Sequence, residues 1–422
     1  MKKISIVVIF ILSISLGCQK DATVVSQDAA YRDLSIDSNL VSLDEAISIS
    51  ELQMFPKHSN SSRSSNVKKR LKSSFSVSPD KSAASFYIFN YENGGFSIVS
   101  GDRRILPVLA FSDTNSFPTD LSEYPSGLVA WMEGYNRKIK EVREQKTEPT
   151  PIVKASWESF ERTGAFPNGR INGDPKPIQE PRCLGNGYVF LDRSDIKGPL
   201  TQTIWAQDEG YNDQLNDMGC SFYTNGKPPT GCVATATAQI MRYFQHPSTY
   251  NWSAMNDQAP STETARLMKD IGQAVGMNYG CNGSDTETSN AASALTGTFG
   301  YTSASYQNYN YSTVVSNIAN NKPVILKGGR VDKWWIFNTY AEGHAWVCDG
   351  TMASYFSMCS TYTGLGGPYF YVSSPSYVST LHLHMNWGWS GQFNGWFGFQ
   401  NFNPNDYTFN YKVNQIVNIS KP

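Results

Sequence analysis

Gly231-Cys232-Val233-Ala234-Thr235-Ala236-Thr237-Ala238-Gln239-Ile240-Met241 stands where an irregular loop containing Pro228 and Pro229 meets a run of small residues. The run is expected to form a helix from Cys232 to about Phe244. A thiol at a helix N-terminus feels the positive end of the macrodipole, which lowers its pKa and favours the nucleophilic thiolate. Small Ala and Thr side chains let a neighbouring layer approach closely, and Gly231 leaves room for another backbone at the sulfur. The same segment reads equally well as the site of a buried structural cysteine, the commonest fate of an unpaired Cys.

Three other segments supply partners for such a thiol. Downstream lies Gly343-His344-Ala345-Trp346-Val347-Cys348-Asp349-Gly350, a strand-like run whose alternation puts His344, Trp346 and Cys348 on one face. His344 opens that strand and is the histidine best placed to carry a proton; His58 and His246 fall in loops, and His382 and His384 share one face of a later strand. Further on comes His384-Met385-Asn386-Trp387-Gly388-Trp389-Ser390-Gly391. A working imidazole needs an acceptor on Nδ1 to fix its tautomer, and Asn386 shielded by Trp387 supplies one. Two tryptophans in a short turn also read as core, or as a platform for stacking sugars. Upstream, Trp205-Ala206-Gln207 offers a side-chain N–H for an oxyanion beside the backbone N–H of Cys232.

The order Gln207, Cys232, His344, Asn386 is that of papain-like proteases. The segments around Trp205–Asn212, Gly231–Met241, Gly343–Ala345 and Asn386–Trp389 together resemble the streptopain family of bacterial cysteine proteases. The cysteine segment is the most specific of them, and Asn93-Gly94-Gly95-Phe96-Ser97-Ile98-Val99-Ser100-Gly101-Asp102 resembles that family's propeptide. The resemblance implies an α+β, papain-like protease domain with a helical part and an antiparallel β part, behind a small α+β inhibitory prodomain removed by self-cleavage. It implies Cys232 and His344 as the dyad, Gln207 at the oxyanion, and Asn386 and Trp387 as the segment that orients the histidine, through either the Asn386 side chain or the Trp387 main chain. Peptide or protein substrates and the chain's own prodomain are the implied partners. Two features depart from the family. Asn403-Pro404-Asn405-Asp406 stands where a Gly-rich loop is expected, and Gly350–Ser379 has the look of an insertion. A catalytically silent, lipid-anchored binding protein on the same fold is the alternative.

The rest of the chain frames these segments. Its 422 residues allow two domains with linkers, and a net charge of −1 leaves no footprint for nucleic acid. Lys68, Lys69, Arg70 and Lys72 form the only compact basic run and read as solvated surface. Lys2 and Lys3 followed by a mostly apolar run to Leu16 read as a signal peptide over 1–17. Cys18 is then a candidate for lipid attachment and a membrane anchor, with 18–29 as a tether. Residues 30–145 read as the prodomain, with Ser42 capping a helix, strands at 86–89, 96–100 and 105–111, and an amphipathic helix after Pro125. The tip Asn90–Gly95 is a candidate to touch the active site. Six prolines at 149–181 mark 146–185 as a processing linker or extended strap, and 186–422 as the protease domain. Six cysteines remain besides Cys18, irregularly spaced and without CxxC, so neither disulfide staples nor a metal is expected, and no cofactor.

Overall fold

A computed structural model describes residues 37–53, 69–79, 83–120, 124–163, 189–328, 343–364, 367–373, 380–399 and 414–422. The leader, Cys18, the tether, 164–188 and Asn403–Asp406 lie outside the described residues, as does Cys183. Asn39–Pro422 form one unit. In chain order the elements are α1 (Leu43–Leu52), β1 (Leu71–Val77), β2 (Phe86–Tyr91), β3 (Phe96–Ser100), β4 (Val108–Ser112), α2 (Ser126–Glu144), α3 (Pro151–Thr163), β5 (Val189–Lys197), α4 (Cys232–Phe244), α5 (Thr262–Ala274), α6 (Ser289–Gly297), β6 (Ser303–Asn308), α7 (Tyr311–Ala319), β7 (Val324–Gly328), β8 (His344–Gly364), β9 (Gly367–Ser373), β10 (Thr380–Asn386), β11 (Gly395–Phe399) and β12 (Asn414–Ser420).

Elements form where the local chemistry is strong. The Ser42 hydroxyl accepts the Glu45 N–H at 3.2 Å and caps α1. Asn93, Gly94 and Gly95 all take positive φ in the β2–β3 turn, and a Cβ on Gly94 would lie 2.3 Å from the Thr114 carbonyl. The turn thus faces the 112–117 segment of its own half: the Gly95 N–H donates to the Asn115 carbonyl, and Asn90 Nδ2 to that of Phe117. Among the described residues these hydrogen bonds of Asn90 and Gly95 run to the tip's own half and not to Cys232 or His344, against the expectation of a direct touch. Lys69 is not solvated surface either, since its Nζ donates to the carbonyls of Gly94 and Asp113.

One sheet runs through both halves in the order β1-β2-β3-β4-β11-β10-β8-β7-β12-β6, with β5 and β9 pairing β8 off this path. The seam is short: Trp396 pairs Phe111 and Phe397 pairs Ala110 between β11 and β4. On one face lie Val324, Leu326, Trp346, Leu383, Met385, Trp387 and Phe397, packed against Leu128, Trp131 and Tyr135 of α2. Ile325, Ala345, Val347 and Ile416 lie on the other, against Ala234, Ala238 and Met241 of α4 and Leu267 and Ile271 of α5. Burying one large aromatic such as Trp131 removes about 150–250 Å² from water, worth several kcal/mol, so the α2 face is a strong dock.

Two further expectations change. The stretch assigned to a linker carries helix α3, which starts on Pro151 in the position that tolerates a missing N–H. Its Val153, Trp157 and Phe160 are buried beside Ile49 and Phe89, so it belongs with the prodomain. Apolar residues at i, i+4 and i+7 were the overlooked signal, masked by the surrounding prolines. Cys220 and Cys281 form a disulfide with Cα atoms 5.1 Å apart, against the expectation of none. The apparent insertion is an extension of β8 into an arm with β5 and β9.

Candidate active site

Helix α4 opens at Cys232 after Gly231, whose φ of +89 turns the loop into the helix. A Cβ on Gly231 would meet Met277 at 2.8 Å and the Ser284 carbonyl at 3.0 Å. Glycine is therefore required twice, by conformation and by contact with the 277–287 loop. The same loop is tied down by Ser284 Oγ, which donates to the Pro229 carbonyl at 2.6 Å.

Cys232 is half-buried. Burial raises its thiol pKa; the backbone N–H groups of Ala345, Val233 and Cys232, together with the charge of Lys327, oppose that rise. The lowered pKa expected from the helix N-terminus is thus outweighed in this state by desolvation. The Ala345 amide at the thiol places Cys232 against the first residues of β8, next to His344.

His344 is 4% exposed and its ring stacks on Trp346 with centroids 6.0 Å apart. Its Nε2 lies 2.8 Å from the Trp387 carbonyl, so Nε2–H donates and Nδ1 is left as the basic nitrogen. This reverses the expected nitrogen: the orienting acceptor is on Nε2 and is main-chain, from Trp387, not the Asn386 side chain. Burial holds the imidazole pKa down at about 4, with the Trp387 contact opposing. Burial thus favours the uncharged form of both groups. Among the described residues no hydrogen bond joins the thiol to His344.

Asn386 has a different task. Its Nδ2 donates to the Thr203 carbonyl at 2.6 Å and to Gln239 Oε1 at 2.8 Å, and its Oδ1 accepts the Gly388 N–H at 3.3 Å. Thr203 Oγ1 also donates to Gln239 Oε1, at 2.9 Å. The Asn386–Trp387 turn is so linked to helix α4 and to the extended loop segment leading into Gln207. Gln207 is half-buried, and its carbonyl accepts the N–H of Thr230, two residues before Cys232, at 2.9 Å. Its Oε1 is buried with no hydrogen-bond partner. All five sequence-derived residues, Gln207, Cys232, His344, Asn386 and Trp387, therefore belong to one connected corner of the sheet and α4.

Asp349 was missed. Between His384 and Met385 the register skips it, pairing His384 with Gly350 and Met385 with Cys348. From this bulge the fully buried carboxylate accepts the Thr201 N–H at 2.9 Å and Thr201 Oγ1 at 2.6 Å, and meets His384 Nδ1 at 2.6 Å. It clamps the segment that runs on to Gln207. Its signal was available: Asp349 is the only acidic residue in the run from Gly343 to Gly350.

Sequence and structure comparisons show which known proteins the chain is similar to. The family model for the Peptidase C10 family matches residues 205–249 and 247–397, and that for the Spi protease inhibitor matches 38–139. Streptopain of Streptococcus pyogenes is 26% identical over 376 residues, 76% of each chain. The thiol protease/hemagglutinin PrtT of Porphyromonas gingivalis is 25% identical over 368 residues, 77% of this chain and 35% of that protein. In fold, the chain is similar to a fragment of Prevotella intermedia prointerpain A, with a TM-score of 0.53 at 22% identity, covering 84% of this chain and 99% of that one.

Proposed function

Because the chain is a cysteine peptidase of the C10, streptopain-like family behind an inhibitor-type propeptide, we propose that Cys232 is its nucleophile and His344 its general base. His344 Nδ1 takes the thiol proton, the thiolate attacks a peptide carbonyl, and the imidazolium then protonates the leaving amine. The Gln207 side-chain amide and the Cys232 N–H hold the oxyanion, and water hydrolyses the thioester. Asn386 and Trp387 orient the histidine, Asn386 through the backbone it clamps. The observation that carries this reading is the hydrogen bond from His344 Nε2 to the Trp387 carbonyl, which fixes the tautomer on the strand whose next amide faces the Cys232 thiol.

The propeptide half suppresses activity by supporting the wall behind His344. Helix α2, Ser116 and Phe117 contact Trp346 and Phe393, as Gly127 against the Trp346 ring, Phe393 N–H on the Ser116 carbonyl and Phe117 against Phe393 show. Cleavage after α3 frees that half and lets the thiol and imidazole close into an ion pair. Export through the 1–17 leader, with a lipid on Cys18, completes the proposal. The test is the Cys232→Ala variant: it should fold, keep its propeptide and hydrolyse no peptide bond after proteolytic activation. Undiminished turnover in that variant overturns the assignment.

A further inference from the structure

Two walls face each other across the Cys232 thiol. The sheet wall is β7 and β8, where Lys327 pairs directly with Ala345 and Gly328 with His344. The helical wall is the 277–287 loop, whose Met277 and Ser284 crowd Gly231 and which leads into α6. A substrate that offers its carbonyl to Cys232 has to run between them. One ion pair links the walls: Lys327 Nζ lies 3.3 Å from Glu287 Oε2. The pair is asymmetric, with the Lys327 side chain 19% exposed and that of Glu287 75% exposed. Lys327 also lies along the start of β8, its Cε 3.8 Å from where a Cβ on Gly343 would sit. Among the described residues it is the charged side chain that acts on the Cys232 thiol.

We propose that Lys327 is a specificity residue that binds an acidic side chain of the substrate, one or two residues from the scissile bond, with Glu287 holding the ammonium in place until the substrate carboxylate replaces it. The inference rests on the peptidase reading above. An exposed carboxylate such as Glu287 forms a weak pair, because water competes for both partners. A substrate side chain entering the cleft expels that water, and the charge-assisted bond it makes to a partly buried ammonium is the stronger one. Neutral side chains gain nothing there, and basic ones meet a like charge beside the thiol.

The test uses the full chain after proteolytic activation and a set of peptides identical except for Glu, Gln or Lys at each of the three positions before the scissile bond. The wild type should cleave the Glu peptide at one of these positions about 10-fold or more faster in kcat/KM than the Gln peptide, a preference that shrinks as salt is raised. Lys327→Met should bring the Glu-to-Gln ratio down to about 1, whatever it does to the absolute rates, and Lys327→Glu should invert the preference toward Lys. Hydrolysis without an acidic preference, or a preference that survives Lys327→Met, overturns the proposal and leaves the peptidase reading intact. Equal loss on all three peptides also overturns it, since Lys327 would then serve the thiolate alone. No hydrolysis of any peptide or of casein sinks the peptidase reading itself.

Discussion

His382, on β10 of the peptidase half, holds its Nε2 3.4 Å from the carbonyl of Val108, on β4 of the inhibitor half and 274 residues earlier. The imidazole is fully buried, with the Phe111 ring 6.1 Å away and Gly398 at its edge. Tyr135 of α2 also reaches this edge, where its hydroxyl donates to the Gly398 carbonyl at 2.7 Å. Burial lowers the His382 pKa from 6.5 to about 4, and the Val108 contact opposes. The covered state therefore binds fewer protons than a state in which β4 has left. Inhibitor binding is complete above about pH 6.5 and weakens as pH falls toward 4. At pH 5 the loss is about 1–2 kcal/mol, or roughly 5- to 30-fold. His382→Gln should flatten this dependence when propeptide dissociation is followed from pH 7.5 to 4.5. An unchanged pH profile in the variant would show that other groups set it.

Gly127 and Trp346 make the second lever. A Cβ on Gly127 would lie 2.6 Å from the Trp346 ring, which itself stacks on His344. Gly127→Leu forces α2 off this wall, and overpacking of this kind costs about 1–3 kcal/mol. The full-length variant should lose its propeptide and gain basal activity about 5- to 100-fold faster than wild type. Activity after propeptide removal should be unaltered. A variant as latent as wild type would exclude this contact from the inhibition.

The sequence disclosed what short-range chemistry controls. The α4 helix begins at Cys232 as expected, the Ser42 cap forms, and the apolar stripe of α2 is buried. It concealed what depends on distant partners. Nothing near Asn386 announces that its amide reaches Thr203 and Gln239, leaving the Trp387 carbonyl to orient His344. The bulge at Asp349 depends on the register between β8 and β10, which no local pattern encodes. The β4–β11 seam joins two halves that read as separate domains, because neither strand advertises its partner.

The Cys220–Cys281 bond joins the loop between Gln207 and Cys232 to the 277–287 loop that crowds Gly231. It braces both sides of the proposed oxyanion site. Cys220→Ser/Cys281→Ser should fold, since the bond closes one loop at the edge of a large core, but lose stability by about 2–4 kcal/mol. It should also lower kcat more than it raises KM, and the wild type should behave like it under strong reductant. Thermal unfolding and steady-state kinetics, with and without reductant, check both expectations. A variant with wild-type kcat would limit the bond to stability.

Asn386→Ala tests the clamp. The substitution leaves the Thr203 carbonyl without its Asn386 donor and removes the acceptor of the Gly388 N–H, while Gln239 Oε1 loses one of two donors and keeps Thr203 Oγ1. Asn386 is 2% exposed, so water does not readily replace the lost bonds. Each unsatisfied buried group costs about 1–3 kcal/mol, and the expected stability loss is about 2–4 kcal/mol by the same accounting. The turn that carries the Trp387 carbonyl then drifts, and His344 loses its fixed tautomer. Loss of the fixed base should reduce kcat by roughly 10²-fold while KM stays near wild type. Asn386→Asp, isosteric but unable to donate, should show the same kcat loss, which separates the missing donor from the missing volume. A fall in melting temperature with kcat preserved in both variants would make Asn386 a structural residue and remove it from the catalytic arrangement.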